Sequence, residues 1–140
     1  MGMRIAISSC VAQIIRQATA DAHPREACGL LFGEEDAITS VQITENVAQN
    51  PELHFEIDPV SLFAALRGER AGGPRLIGYW HSHPTGDPTP SATDAATAEP
   101  DGKLWLIAGA GELRGWLAGE SGLLGRFTAV ELANETGLKG

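Results

Sequence analysis

Apolar residues in the first part of the chain follow two different spacings. Residues 3–7 (MRIAI) are typical of a short strand, and either Ser8 or Ser9 can cap a helix that begins directly after it. The apolar side chains of this helix recur three or four positions apart, at Val11, Ile14, Ile15, Ala18 and Ala22. The pattern therefore predicts a strand followed by a helix that buries one face.

The next part of the chain is rich in strand-forming residues. Residues 27–33 and 37–45 are two such segments with an acidic turn between them, and they predict a hairpin. A third strand is expected at 53–57, before Asp58, which can cap a helix with Pro59 in its first position. The apolar side chains on one face of that helix are Leu62, Phe63 and Leu66.

The remaining elements complete the prediction of the fold. Residues 76–81 (LIGYWH) are a strand by composition, and a short helix is expected at about 91–98. Three further strands are predicted, at 103–108, 112–118 and 126–132. This order predicts an α/β (mixed α+β) fold, with one mixed, mostly antiparallel sheet and helices packed on it, in a single domain over residues 1–140.

Composition and charge narrow the class of protein. The chain is 43% hydrophobic and has a formal net charge of −8, which disfavours binding to nucleic acid. No segment approaches the roughly 20 apolar residues that cross a membrane, and the amino terminus does not resemble a secretory signal. We therefore expect a cytoplasmic protein that binds neither nucleic acid nor membrane. Cys10 and Cys28 are expected to be buried free thiols.

One stretch, GYWHSHPTGDPTPSATDAATA, carries the residues of greatest chemical interest. Side chains alternate along a strand, so His81 and His83 point to the same face and Ser82 points to the other. Ser91 and Asp94 follow, giving the pattern H-x-H-P-x6-S-x2-D. Two imidazoles aimed at one point, with a carboxylate a short distance later, are typical of a metal site.

This pattern resembles the signature of the JAMM (MPN+) metalloproteases. The resemblance implies that His81, His83 and Asp94 hold one Zn²⁺ per chain and that Ser91 stabilises the oxyanion. That family also has a glutamate ahead of an apolar strand, and Glu26 in REACGLLFGE takes the corresponding place as the general base. The later segment NVAQNPELHFEIDP is similar to the family as well. The fold that the resemblance implies is the cytidine-deaminase-like JAMM/MPN fold.

The resemblance also implies an activity and a partner. A compact member of this family is expected to hydrolyse an amide or isopeptide bond next to the C-terminal tail of a ubiquitin-like or sulfur-carrier protein. The chain has little room for the insertions that ubiquitin-chain-specific relatives carry, so cleavage specific to one ubiquitin linkage is not expected. A homodimer is compatible with the sequence.

Several alternatives remain open at the level of sequence. Ser91 and Asp94 also form a capping box at the start of a helix, and both roles can coexist. Glu34 and Glu35 are further candidates for the base. The same ligands would suit a non-haem iron enzyme, and a related domain without catalytic activity would act as a scaffold. A zinc nucleoside deaminase is excluded because its P-C-x-x-C motif is absent.

Four other groups of residues receive plain structural interpretations. Asp87 is expected to be a turn residue, since its spacing matches no ligand pattern. His23 and His54 lack metal-ligand partners nearby in sequence. Trp105 and Trp116 are expected to pack in the core, and the GAG at 109–111 is expected to be a hairpin turn.

Overall fold

A computed structural model describes residues 3–134, which form seven strands and three helices. The strands are β1 (Arg4–Ile7), β2 (Cys28–Glu34), β3 (Ala37–Thr44), β4 (Leu76–Ser82), β5 (Leu104–Ala108), β6 (Leu113–Leu123) and β7 (Phe127–Asn134). The helices are α1 (Ser9–Ala22), α2 (Pro59–Arg70) and α3 (Ala92–Thr97). Ser8 caps α1, and Asp58 caps α2 with Pro59 in its first turn, as the sequence predicts.

The strands form one sheet in the order β1-β3-β2-β4-β5-β6-β7, and β7 pairs with β1 to close it into a barrel. Four neighbouring pairs are antiparallel and three are parallel. The predicted mixed, mostly antiparallel sheet with helices is therefore confirmed. Its closure is not predicted by the local pattern, because it depends on pairing between the two ends of the chain.

The two faces of β4 pack against different parts of the molecule. Trp80 is fully buried in the larger core cluster, together with Ile15 of α1 and Leu106 of β5. Tyr79 points to the other face and packs on the smaller cluster around Trp105. This alternation is the one expected for a central strand whose two faces are both covered. At the end of β4, His81 and Ser82 therefore point to opposite faces of the sheet.

The prediction of a strand at 53–57 is wrong. Apart from one isolated bridge between Asn46 and Ile57, the structure shows a turn and an irregular loop there. The backbone of this loop finds its partners on a side chain, because Asn46 bonds to the carbonyl of His54 and to the N–H of Glu56. A polar side chain thus replaces the neighbouring strand that the sequence pattern predicts.

Two smaller expectations also need correction. Strand β6 continues to Leu123 through an irregular register, beyond the predicted end at residue 118.

Helix α2 buries little of its apolar face. Leu62 and Leu66 are only partly buried, and Phe63 is 58% exposed.

The second correction concerns a cysteine of α1. Cys28 is a buried free thiol as expected, but Cys10 is exposed, because α1 buries the side that carries Val11, Ala12, Ile15 and Ala18.

Candidate metal centre

Strand β4 delivers both imidazoles. It lies between β2 and β5, and His81 pairs with Cys28 on one side and with Ile107 on the other. Ser82 points to the opposite face, where its Oγ accepts a hydrogen bond of 2.8 Å from the N–H of Ala27. The alternation predicted for this strand therefore holds, and it aims the imidazoles of His81 and His83 at one point.

Helix α3 delivers the carboxylate. Ser91 caps the helix by accepting a hydrogen bond from the Asp94 N–H at 3.1 Å, and Asp94 Oδ2 accepts one from the Ser91 N–H at 3.0 Å. These two bonds form the predicted capping box and fix the Asp94 side chain in the first turn. Asp94 is buried while Ser91 is exposed. The same local motif thus starts the helix and directs a carboxylate towards the histidines.

The three candidate ligands form a tight triangle. The Nε2 atoms of His81 and His83 are 3.1 Å apart, and they lie 3.3 Å and 3.0 Å from Asp94 Oδ2. Ligand atoms around a tetrahedral zinc, with bonds of about 2.0 Å, are separated by roughly 3.3 Å. The donor set of two imidazoles and a carboxylate therefore fits a divalent cation in both chemistry and spacing.

A backbone carbonyl fixes the orientation of His83. Its Nδ1 lies 2.8 Å from the carbonyl oxygen of Asp87, and because a carbonyl can only accept, Nδ1 must carry a proton. In neutral imidazole this leaves Nε2 with a free lone pair that points at the centre of the triangle. Asp87 itself forms a turn, with its side chain accepting from the Thr89 N–H, as the sequence predicts.

His81 sits in an aromatic box. Its imidazole is fully buried and stacks on Phe55, with ring centroids 4.1 Å apart, while Trp105 meets it edge-on at 5.6 Å. Burial lowers the pKa of His81, which favours the neutral form that a metal requires. Among the described residues, its Nδ1 atom has no hydrogen-bond partner. Aromatic packing therefore acts on the ring of His81 in the way that the bond to the Asp87 carbonyl acts on the ring of His83.

The ionisation of the other two ligands is set by their mutual contacts. Burial alone would raise the pKa of Asp94, but hydrogen bonds with His81 and His83 hold it well below its usual range. Burial opposes protonation of His83, yet its bonds to Asp94 and to the Asp87 carbonyl outweigh this and raise its pKa. The carboxylate is thus charged across the physiological range and is available as a ligand.

Glu26 lies just ahead of β2 with its carboxyl group buried. Burial raises the pKa of Glu26 to about 7. The charge of His83 lowers this pKa and that of Asp94 raises it, so the carboxyl group lies within electrostatic reach of both residues. Its Oε1 atom has no hydrogen-bond partner among the described residues. A buried and unpaired carboxyl group beside the triangle is poised to exchange protons near neutral pH.

Asn46 ties Glu26 to the loop that carries Phe55. Its amide N–H groups donate to the carbonyl of Glu26 at 2.9 Å and to that of His54 at 3.0 Å. Its Oδ1 accepts from the N–H of Ala48 at 3.0 Å and from that of Glu56 at 3.1 Å. One side chain therefore links the position of Glu26 to the position of the ring that stacks on His81.

The structure brings four of the five residues singled out in the sequence into contact and leaves the fifth, Glu26, within electrostatic reach of His83 and Asp94. The five residues are Glu26, His81, His83, Ser91 and Asp94. The spare acids Glu34 and Glu35 are exposed at the turn between β2 and β3. His23 and His54 are exposed and lie outside the described metal cluster.

Three contributors to the site had no role in it on the basis of sequence. Trp105 was expected only to pack, and Asn46 and Phe55 entered only as part of the segment NVAQNPELHFEIDP, which resembles the family. The role of Asn46 has a local sequence signal, since an asparagine in a loop commonly forms an Asx turn with the N–H two residues later. Contacts of Phe55 and Trp105 with His81 have no such signal, because they join distant parts of the chain.

The closed sheet and the cluster of two imidazoles and a carboxylate define a domain of the JAB/MPN class. Residues 8–130 match the family of prokaryotic homologs of the JAB domain, and the chain belongs to this family of JAMM (MPN+) domains. A desampylase from Haloferax volcanii is 38% identical over 94 residues, which cover 66% of this chain and 68% of that protein. A probable TtuB-protein conjugate cleaving protease from Thermus thermophilus is 31% identical over 87 residues, covering 62% of this chain and 55% of that protein.

The fold agrees with this assignment over nearly the whole chain. A solution structure of a protein from Desulfitobacterium hafniense superposes with a TM-score of 0.81 at 26% identity, covering 96% of this chain and 95% of that one. No helix within residues 3–134 is long and apolar enough to cross a bilayer.

Proposed function

We propose that the protein is a zinc-dependent isopeptidase that hydrolyses an amide or isopeptide bond next to the C-terminal tail of a ubiquitin-like or sulfur-carrier protein. The observation that carries the proposal is the convergence of His81, His83 and Asp94 on one point beside the buried carboxyl group of Glu26. The names of the Haloferax and Thermus relatives support the substrate class.

His81, His83 and Asp94 would hold one Zn²⁺. A zinc ion with three protein ligands keeps an open position for water and makes that water acidic near neutral pH. The protein contributes by keeping the lone pair of His83 Nε2 directed inward, through the Asp87 carbonyl, and by keeping His81 neutral through burial. Ligands that are held rigidly in this way need little rearrangement when the ion binds.

Glu26 would move the protons of the reaction. Its carboxylate takes a proton from the attacking water and then delivers it to the nitrogen of the leaving amine. A base whose pKa lies near the working pH serves both steps, because it is readily deprotonated and readily reprotonated. Burial raises the pKa of Glu26 to about 7 before a cation binds, and a bound cation would lower it from there, which favours the carboxylate that accepts the first proton.

Ser91 would stabilise the carbonyl oxygen of the substrate as it gains negative charge. The Oγ of Ser91 already accepts a hydrogen bond from the Asp94 N–H, so its own hydrogen remains free to donate. Because Ser91 is exposed at the start of α3, that hydrogen can reach a bound substrate. The cap and the oxyanion donor are thus compatible roles for one hydroxyl group.

We further propose that the enzyme acts in the cytoplasm on protein substrates and binds neither nucleic acid nor membrane. The net charge of −8 supports the exclusion of nucleic acid, because phosphate backbones would be repelled on average. The homodimer stays a prediction.

A Glu26→Gln variant tests the function. The probe is the carboxyl-terminal peptide of a ubiquitin-like protein from the same organism, joined through an isopeptide bond to the lysine of a fluorescent peptide. We expect the wild type to contain zinc and cleave the probe, and Glu26→Gln to keep its zinc and lose turnover. Glu34→Gln, which changes an exposed glutamate in the same way, is the matched control and should remain active.

Metal analysis separates the alternatives. Purification with iron in place of zinc, with activity that depends on iron, would favour the non-haem iron enzyme. A zinc-loaded wild type that cleaves no conjugate of any ubiquitin-like protein of its organism would contradict the proposal and favour the scaffold.

A further inference from the structure

Two cavities of different chemistry flank the metal centre. The apolar cleft, about 250 Å³ in volume, is lined by Phe55 and Trp105, whose rings pack on His81. Its other lining residues include Leu62, Tyr79 and the acidic residues Glu56, Glu99 and Asp101. The basic cavity, about 220 Å³, borders the other imidazole and is lined by residues that include His23, Arg25, Ser82, His83, Pro84 and Gly86. Aspartate and glutamate are absent from the described lining of the basic cavity.

The position of Glu26 gives the substrate a direction. Since this residue must reach the leaving amine, the protein that carries the modified lysine has to lie on the Glu26 side of the centre. Arg25 directly precedes Glu26. It lines the basic cavity and also a third cavity, of about 310 Å³, that Glu26 lines together with Asp21 and Glu45. Arg25 therefore stands where the segment around the modified lysine has to pass.

The guanidinium of Arg25 is free to bind. The residue is exposed, and no carboxylate of residues 3–134 lies within 4.0 Å of its side-chain nitrogens. A guanidinium binds a carboxylate through two parallel hydrogen bonds and is more weakly hydrated than an ammonium group. In a chain of net charge −8, an unpaired arginine beside the reaction centre provides a local positive site for an acidic group.

We propose that Arg25 determines specificity on the leaving-group side, by binding an acidic side chain next to the modified lysine of the target protein. The proposal rests on the proposed function, because that function places the leaving amine beside Glu26. The apolar cleft on the other side has a carboxylate rim, so the two flanks of the centre favour different chemistry. Conjugates at lysines with acidic neighbours are therefore the preferred substrates.

Binding of product peptides tests this inference without relying on turnover. The probes are three fluorescent peptides with the core Asp-Lys-Asp, Ser-Lys-Ser or Arg-Lys-Arg, titrated by anisotropy against the zinc-loaded protein. We expect the acidic peptide to bind about tenfold more tightly than the basic one, and added salt to reduce the difference. In Arg25→Glu the order should reverse. Arg16→Glu is the matched control, since it reverses the charge of an exposed arginine of α1 outside both cavities and should leave the order unchanged.

Cleavage of the same peptides as isopeptide conjugates completes the test. We expect kcat/KM to follow the same order as binding and the order to reverse in Arg25→Glu. Equal binding of the three peptides, or an unchanged order in Arg25→Glu, would overturn the role of Arg25 even if every conjugate is cleaved. If the zinc-loaded wild type cleaves no conjugate, the proposed function fails, and the specificity role that rests on it fails with it.

Discussion

The ring of Phe55 lies almost parallel to the imidazole of His81, with centroids 4.1 Å apart and ring planes 16° apart. Trp105 contacts both rings edge-on, so His81 is enclosed by aromatic side chains from the loop after β3 and from β5. His81 has no hydrogen bond on Nδ1 within the described residues, so this packing, together with the contact of Nε2 with Asp94, restricts rotation of the ring. Groups that orient a ligand from behind influence metal affinity although they never touch the ion.

Phe55→Ala should therefore weaken metal binding. We expect about a tenfold loss of zinc affinity, because outer contacts of ligands typically contribute ten- to hundredfold. The zinc affinity is measured by the fraction of zinc that each protein retains against a competing chelator. Phe63→Ala is the matched control, because it makes the same change at a side chain that is 58% exposed on α2. Equal zinc affinity in Phe55→Ala and wild type would contradict a positioning role for the ring.

Asn46→Ala should damage both the fold and the rate. The variant removes the partners of two half-buried backbone groups and of two exposed ones, and we expect a loss of about 1–3 kcal/mol in the free energy of unfolding, mostly from the half-buried pair. The groups concerned belong to Glu26, Ala48, His54 and Glu56. Chemical denaturation measures the first effect, and kcat should also fall because the carbonyl of Glu26 loses its anchor. Asn50→Ala, a similar loop residue, should be nearly neutral in both measurements.

The parts of the fold that follow from local sequence were predicted well. Cap residues, turn residues and side-chain alternation depend only on neighbours in the chain, so the helices and most strands were found from them. The direction of His81 and His83 is of this kind, because it follows from their spacing along β4. The capping box that places Asp94 is also local, since its two partners are three residues apart.

The parts that were missed depend on contacts between distant segments. Closure of the sheet needs β1 to pair with β7, and the surroundings of His81 need Phe55 to reach it from 26 positions earlier in the sequence. The pattern at 53–57 favours a strand, but the side chain of Asn46 offers that backbone better partners than a neighbouring strand does. The exposure of Cys10 follows from which side of α1 meets the sheet, and that is set by tertiary packing.

Variants of Ser91 can separate its two roles. Ser91→Ala removes both the helix cap, which costs about 1 kcal/mol of stability, and the oxyanion donor, which costs roughly 10²–10³ in kcat. Ser91→Asp restores a side-chain acceptor for the Asp94 N–H but supplies no hydrogen to a developing oxyanion. We expect Ser91→Asp to recover the thermal midpoint and to remain slow. Recovery of kcat together with stability would show that the cap alone matters.

The raised pKa of Glu26 predicts a pH dependence of stability. The pKa is about 7 in the folded protein and 4.5 for an exposed glutamate, so between these pH values the folded state holds a proton that the unfolded state has released. The contribution of this group is therefore fully present below about pH 4.5 and is lost as pH rises through 7. Glu26→Gln cannot titrate, so the free energy of unfolding of the metal-free wild type, relative to this variant, should fall across that window and level off above it.

Denaturant titrations at several pH values measure the difference in the free energy of unfolding between the metal-free wild type and metal-free Glu26→Gln. Most of the contribution from titration of His81, His83 and Asp94 is common to both proteins and cancels in this difference. Zinc offers an internal comparison, because a bound cation favours the charged carboxylate and should lower the pKa of Glu26. The fall with pH should therefore shrink in the zinc-loaded pair. A difference that stays constant with pH in the metal-free proteins would mean that Glu26 is not held in the buried, unpaired state from which its role as proton carrier was inferred.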